Sequence, residues 1–226
     1  MPTLPLYAHI RRWAIWPTAM QSSAQPVPSC SFLDAGARRR LSSLAKIAFW
    51  LGYECEAHLL KPRVVFASRH GEANKVAMML ENITKNEDVS PTAFSLSVHN
   101  AVPGLFSMHT SNHASMTAIA AGEGTLGMAI LHTIIEQRFH KEPVLLIYAD
   151  HPLENEIYKG TDSPSFAHGI SLLIDSEGEK VEFIRDQNNI SEPIDVIFQG
   201  MSSFLTKKVD RTELPDKSGS WKLRYV

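Results

Sequence analysis

The chain is short of cysteine, of basic charge and of long apolar runs, and each shortage closes a class of function. Its 226 residues include two cysteines, Cys30 and Cys55. Two cysteines in a chain of this length make no disulfide framework, so the expected compartment is a reducing cytoplasm. Neither has a metal-ligand neighbour at C-x-x-C spacing. Lys and Arg total 22 against 24 Asp and Glu, a formal net charge of -2. Nucleic-acid proteins carry a basic surplus, so no nucleic-acid partner is expected. Arg38-Arg39-Arg40 is the lone basic cluster and reads as a solvated helix end. No run of eighteen apolar residues exists, so no membrane span is expected. Arg11 and Arg12 are followed by Pro17 and no apolar core, so no secretory leader is expected.

The remaining composition is that of a globular protein, 44% hydrophobic and 20% charged. The length suits one large domain or two small ones, with a sizeable core. Residues 7–14 predict a strand, and 20–31, with Pro26 and Pro28, a loop. Asp34 is an N-cap for a helix from 35 to about 56, where Leu41, Leu44, Ala45, Ala48 and Phe49 recur at helical spacing. Residues 63–68 and 144–149 are nearly continuous apolar runs, the pattern of strands buried on both faces. Residues 72–84 predict a helix with an apolar stripe of Val76, Met79, Leu80 and Ile83. Residues 92–108 are apolar around Gly104, and 109–115 form a polar turn. Residues 117–139 open on small side chains and become a helix. Residues 167–175 give a third buried strand, with 181–185 as its hairpin partner across Ser176-Glu177-Gly178. A short helix from Met201, a polar stretch over 206–220 and a strand at 221–226 close the chain. Strands alternating with long helices predict a layered α/β domain on a largely parallel sheet.

Several motifs have competing readings. Gly122-x-Gly124-x-x-Gly127, with Asp150 closing a later strand, mimics a dinucleotide fingerprint. That fingerprint needs a strand directly before its first glycine. Residues 118–121 read instead as small-residue helix packing, which sets the dinucleotide aside. His109 and His113 stand at i, i+4 without the glutamate of H-E-x-x-H, so they read as a solvated pair. Ser97 and His99 suggest a serine hydrolase, but no G-x-S-x-G surrounds any serine. His99 beside Asn100 reads either as a core histidine with one satisfied hydrogen bond or as a polar group at a subunit interface. Met78, Met79 and Met108 read as core gap-fillers.

The most unusual stretch is residues 90–127, SPTAFSLSVHNAVPGLFSMHTSNHASMTAIAAGEGTLG. It resembles the central segment of β-ketoacyl synthases, members of the thiolase-fold superfamily. There, as here with Ser90-Pro91, Asn100 and Gly104, a Ser-Pro leads into a helix carrying Asn and then Gly. A small-residue run, here Thr117 to Gly122, then precedes a buried helix. The downstream order also fits, with a helix, a strand ending Tyr148-Ala149-Asp150 and a strand from Gly169 to Asp175. Arg39-Arg40-Leu41 resembles the arginine-leading helix near the start of the same fold. The runs FSLSVHNAVPGLFS, AIAAGEGTLG and VVFASRHGE resemble short ketoacyl-synthase-like proteins that accompany type II systems making aryl polyene pigments. The likeness covers most of residues 35–175.

The resemblance implies a thiolase-like α/β fold, the N-terminal half of a synthase with a shortened C-terminal remainder. A single domain over 1–226 is expected, with a synthase-like core at about 35–175 and an extension at 176–226. Aligning Gly127 and the helix after it puts Ile119 where the nucleophilic cysteine belongs. A condensing enzyme needs a thiolate there, activated by a helix N-terminus, and Ile cannot form a thioester. The two histidines of the second thiolase-like half are also expected to be missing. The implied function is therefore a non-catalytic chain-length factor in fatty-acid-like or aryl polyene biosynthesis. Its partner would be a catalytic β-ketoacyl-ACP synthase, with acyl carrier protein engaged indirectly and no cofactor or metal. In the resembling synthases the stretch between the Ser-Pro and the Asn faces the partner's acyl pocket. Ala93, Phe94 and Ser97 are the implied tunnel wall, with His99, Asn100 and Phe106 at the interface. Phe94, Leu96, Val98, Val102, Leu105 and Phe106 are expected to offer more apolar surface than a half-fold buries. The alternative is a thiolase-fold acyltransferase or hydrolase acting alone with an unrecognised nucleophile. A third reading is a free-standing acyl-binding module.

Overall fold

The structure is a computed structural model that describes residues 5–17, 27–159, 161–187 and 192–226. The loop expected over 20–31 lies outside the described residues up to 26, and 27–31 carry neither helix nor strand.

One eight-stranded sheet runs through the described residues. Its strands are β1 (Leu6–Trp16), β2 (Arg63–Ala67), β3 (Met116–Ile119), β4 (Val144–Asp150), β5 (His168–Asp175), β6 (Glu179–Asp186), β7 (Arg211–Asp216) and β8 (Gly219–Tyr225). Their order is β3-β2-β4-β5-β1-β6-β8-β7. β2 runs parallel to β3 and β4, and every other pairing is antiparallel. The sheet is therefore mixed and not largely parallel. Parallel neighbours need a crossover, and helices separate β2 from β3 and β3 from β4.

The expected hairpin of β5 with β6 does not form, because β1 lies between them. Residues 9–16 of β1 pair with β5 on one edge and residues 6–10 with β6 on the other. The turn at 176–178 carries the chain across β1. Gly178, at φ +129°, sits at that crossing, where a Cβ would come within 2.4 Å of the Ile10 carbonyl oxygen. No larger residue fits there without moving backbone.

The helices are α1 (Ala35–Arg40), α2 (Ser43–Glu54), α3 (Ala57–Leu60), α4 (Ala73–Thr84), α5 (Pro91–Ser95), α6 (Ala101–Thr110), α7 (Thr125–His140) and α8 (Ile194–Leu205). The single helix predicted from 35 to 56 breaks at Leu41, which is extended. Ser42 caps a new start, its Oγ accepting the Ala45 N–H at 3.0 Å. Arg38, Arg39 and Arg40 fall in the last turn of α1, where cations suit the helix dipole.

The sheet separates two apolar layers. Leu145, Ile147 and Ala149 of β4 pack with α2 and α6 on one face. Leu146 and Tyr148 pack with α7 and α8 on the other. β4 is buried along its whole length, as its unbroken apolar run predicts. Of the stripe predicted on α4, Met79 is buried and Val76 half-buried, but Leu80 and Ile83 face outward, as does Met78. Met108 is exposed too, so of the three methionines read as gap-fillers only Met79 is one. Residues 116–119 form a strand where a helical lead-in was expected, and the polar stretch 206–220 contains β7. The helix expected from Met201 begins earlier, at Ile194.

Candidate functional site

The residues singled out from the sequence fall in two places: the segment from 90 to 106, whose His99 reaches β3, and the stretch from the end of β3 to the start of α7. The first is built as the Ser-Pro predicts. Ser90 Oγ accepts the Ala93 N–H at 3.3 Å, and Pro91 takes the first helical position. None of the five residues of α5 is buried, and Phe94 is 64% exposed. Ala93 and Ser97 are half-buried. Ser97 turns its Oγ back to donate to the Phe94 carbonyl at 2.8 Å. Asn100, exposed, precedes α6 without capping it through its side chain.

His99 is half-buried, with Nε2 3.0 Å from the carbonyl oxygen of Ile119 at the end of β3. Its other ring nitrogen lies over Gly71, where a Cβ would approach to 2.6 Å. Phe106 was placed at the interface on sequence grounds, and the structure corrects this. It is 1% exposed and meets Phe49 edge-on at 5.3 Å, filling the chain's own core. Val102 is buried beside it, while Phe94 and Val98 stay exposed.

The second place also differs from the expectation. Ile119 closes β3 and does not stand at a helix start. α7 is entered through the 3-10 turn Gly122–Gly124 and begins at Thr125. Thr125 Oγ1 accepts the Ala121 N–H at 2.9 Å and donates to the Gly122 carbonyl at 2.7 Å. Both cysteines lie in the apolar layer on the opposite face of the sheet from α7. Burial pushes each thiol up to about 11.

The C-terminal hairpin of β7 and β8 closes over this helix start. Arg185 Nη1 and Nη2 donate to the two Asp216 carboxylate oxygens at 2.5 and 2.9 Å. That pairing, with N–H and O–H donors from Ser218, holds the Asp216 carboxyl down at about 2. A Cβ on Gly124 would lie 3.2 Å from the Asp216 side chain, and one on Gly127 2.5 Å from the Trp221 indole. Trp221 in turn stacks on Phe183, with ring centroids 4.4 Å apart.

A strand, β3, does precede Gly122, so strand order alone does not exclude a dinucleotide. The dinucleotide is excluded instead by packing: Gly124 and Gly127 admit the chain's own Asp216 and Trp221, and β3 is an edge strand. The polar reading of 206–220 missed these residues. Their available signal was the Asp216-Lys217-Ser218-Gly219 turn between short runs, masked by Pro215 within an edge strand.

A third cluster, missed by the sequence reading, joins the ends of β2 and β4. The buried Asp150 Oδ1 accepts from Ser68 Oγ at 2.8 Å, Arg69 N at 2.9 Å and His70 N at 3.4 Å. Ser68 Oγ also accepts the Gly71 N–H at 2.8 Å, which makes it a turn-former and not a nucleophile awaiting a base. Opposite Asp150 on β5 is His168, fully buried and pushed down toward the neutral form by burial. Arg69 pairs with Asp162 and stands 3.8 Å from Glu123, which Lys217 approaches to 3.7 Å. Among the described residues no three metal-ligating side chains converge. His109, in α6, and His113, beyond it, are both exposed. No helix among them is long and apolar enough to cross a membrane.

The family described as β-ketoacyl synthase, N-terminal domain, matches residues 12–203. No curated protein matches the sequence. Among solved structures, the chain is similar to one of a ketosynthase (ApeO) in complex with its chain length factor (ApeC) from Xenorhabdus doucetiae. The identity is 18%, the TM-score 0.85, and the match covers 97% of this chain and 99% of that one. It is also similar to the ishigamide ketosynthase/chain length factor, at 13% identity and TM-score 0.54, covering 91% of this chain and 74% of that one. These likenesses are of fold, and they extend the thiolase-like architecture over nearly the whole chain.

Proposed function

Since the chain belongs to the β-ketoacyl synthase N-terminal-domain family, we propose that it is a non-catalytic chain-length factor. It pairs with an active β-ketoacyl-ACP synthase and shapes that enzyme's acyl tunnel in aryl polyene or fatty-acid-like biosynthesis in the cytoplasm. The partner supplies the cysteine, the histidines and the contact with acyl carrier protein. The chain itself works as one thiolate-free domain over residues 1–226.

One observation carries the reading. The resemblance puts the nucleophile of a condensing enzyme at Ile119, which closes β3, and the α7 start that follows, Gly122 to Thr125, is covered by Asp216 and Trp221. A thioester needs a thiolate at such a helix N-terminus and open space for the acyl group. Here a carboxylate sits against Gly124, and both thiols are buried across the sheet. The full-length likeness to a chain from a ketosynthase and chain length factor complex supports the same role.

The free edge of β3 and the exposed Phe94 and Val98 beside it offer the partner a surface. On that surface Ala93, Phe94 and Ser97 face the tunnel, and His99 and Asn100 hold its rim. Incubation of the purified chain with acyl- and malonyl-carrier proteins tests the catalytic half of the proposal. The expected result is no condensation product and no mass adduct on the chain. A covalent acyl adduct would restore the acyltransferase or hydrolase reading.

A further inference from the structure

α5 poses a physical problem. It has five residues and buries none of them, so neither helix propensity nor core packing fixes its position. Its register against the rest of the fold is set by polar contacts at its C-terminal end. Lys75, on α4, donates from Nζ to the Leu96 carbonyl at 3.2 Å, and Leu96 is the C-cap of α5. The same Nζ lies 3.1 Å from Glu72 Oε1. Glu72 Oε1 also accepts from Ser42 Oγ at 2.6 Å, and Ser42 is the N-cap of α2. The Glu72 side chain is 5% exposed and that of Lys75 22%, so this is no loose surface pair. A chain of polar contacts thus runs from the cap of the buried helix α2, through the Glu72–Lys75 pair, to the end of α5. His99 adds a second anchor three residues further on, at the Ile119 carbonyl.

We infer that Glu72 and Lys75 are a positioning pair that sets where α5 stands, and thereby how far the partner's acyl tunnel extends. The inference rests on the proposal that α5 walls that tunnel. Lys75 touches no acyl group. It acts by holding the Leu96 carbonyl, and so the depth at which Phe94 projects. Lysine suits the task because one ammonium can serve the Glu72 carboxylate and the Leu96 carbonyl at once. Methionine keeps the length of the stem and loses both contacts.

The test uses the full chain assembled with its synthase, comparing Lys75→Met, Glu72→Gln, Lys75→Arg and Phe94→Ala. Two readouts are taken: amide hydrogen exchange over residues 92–98 and the length distribution of the products. Loss of a charge-assisted hydrogen bond should speed exchange in that segment roughly tenfold, leaving α7 and β4 unchanged. Product lengths in Lys75→Met and Glu72→Gln should spread by at least one two-carbon step, while Lys75→Arg keeps most of the native distribution. If Lys75→Met and Glu72→Gln lower yield or melting temperature with lengths and local exchange unchanged, the pair is merely structural and the inference falls. If Phe94→Ala alters product length and these two do not, the inference falls while the tunnel-wall reading stands. If Phe94→Ala is also without effect, both fall.

Discussion

Cys30 donates its thiol to the Lys46 carbonyl at 3.3 Å, and Cys55 lies 3.2 Å from Ser171 Oγ inside the sheet. With both thiols pushed up to about 11 by burial, neither is a thiolate at neutral pH. Native protein should therefore react with a thiol reagent at pH 7 only as it unfolds, releasing both equivalents in denaturant. Rapid labelling of one thiol in the folded chain would mean that a reactive cysteine exists after all. Asp216 permits a pH prediction with a definite sign. Its carboxyl is held at about 2, below the ordinary 3.8, so its pairing with Arg185 stabilises the fold above pH 4. That contribution is lost as the pH falls toward 2. A shift of this size is linked to about 2 kcal/mol, because one pKa unit is about 1.4 kcal/mol. Asp216→Asn should melt lower than the native chain at pH 7, with the gap closing as both approach pH 2. Equal melting temperatures at pH 7 would show that the hairpin does not depend on this pair.

At the scale of elements, α5 is where the proposed function becomes measurable. Phe94 projects from it at 64% exposure, while Ala93 and Ser97 are half-covered. Each methylene buried in a tunnel gains roughly 0.8 kcal/mol, so removing a steric stop should lengthen the product. In the reconstituted pair Phe94→Ala should give longer chains, and Ala93→Phe or Ser97→Phe shorter ones, with assembly retained. Native lengths from all three assembled variants would remove these residues from the tunnel wall. The elements also show what was legible in the residues. β4 could be read directly, because a strand covered on both faces needs an unbroken apolar run. The Ser90-Pro91 start of α5 was legible as a local cap. β3 was not, since Met-Thr-Ala-Ile among small residues suits a helix entry as well as a short edge strand. Ile119 accordingly stands at a strand end and not at a helix entry. The insertion of β1 between β5 and β6 was equally hidden. Pairing across more than 150 residues leaves no local pattern, and only Gly178 marks the crossing.

At the scale of the whole molecule, the described sheet is open at both ends, β3 and β7, and the β3 end bears on the proposed partner. β3 pairs with β2 alone, and Met78, Leu80 and Ile83 of α4 and Phe94 of α5 face outward. An open edge beside apolar side chains invites association. In the proposed assembly the synthase covers this side, and an interface of that kind is large and apolar. Phe106 and Val102 do not contribute to it, because the chain already buries them against Phe49. In the proposed assembly the apolar surface left for the synthase is thus smaller than the sequence suggests. The decisive measurement is co-expression with a β-ketoacyl-ACP synthase of the same organism, followed by size-exclusion chromatography with mass determination. The account predicts a 1:1 heterodimer stable at micromolar concentration, with the chain alone aggregating or unfolding at lower temperature. Elution of the chain as a stable monomer, apart from the synthase, would contradict it.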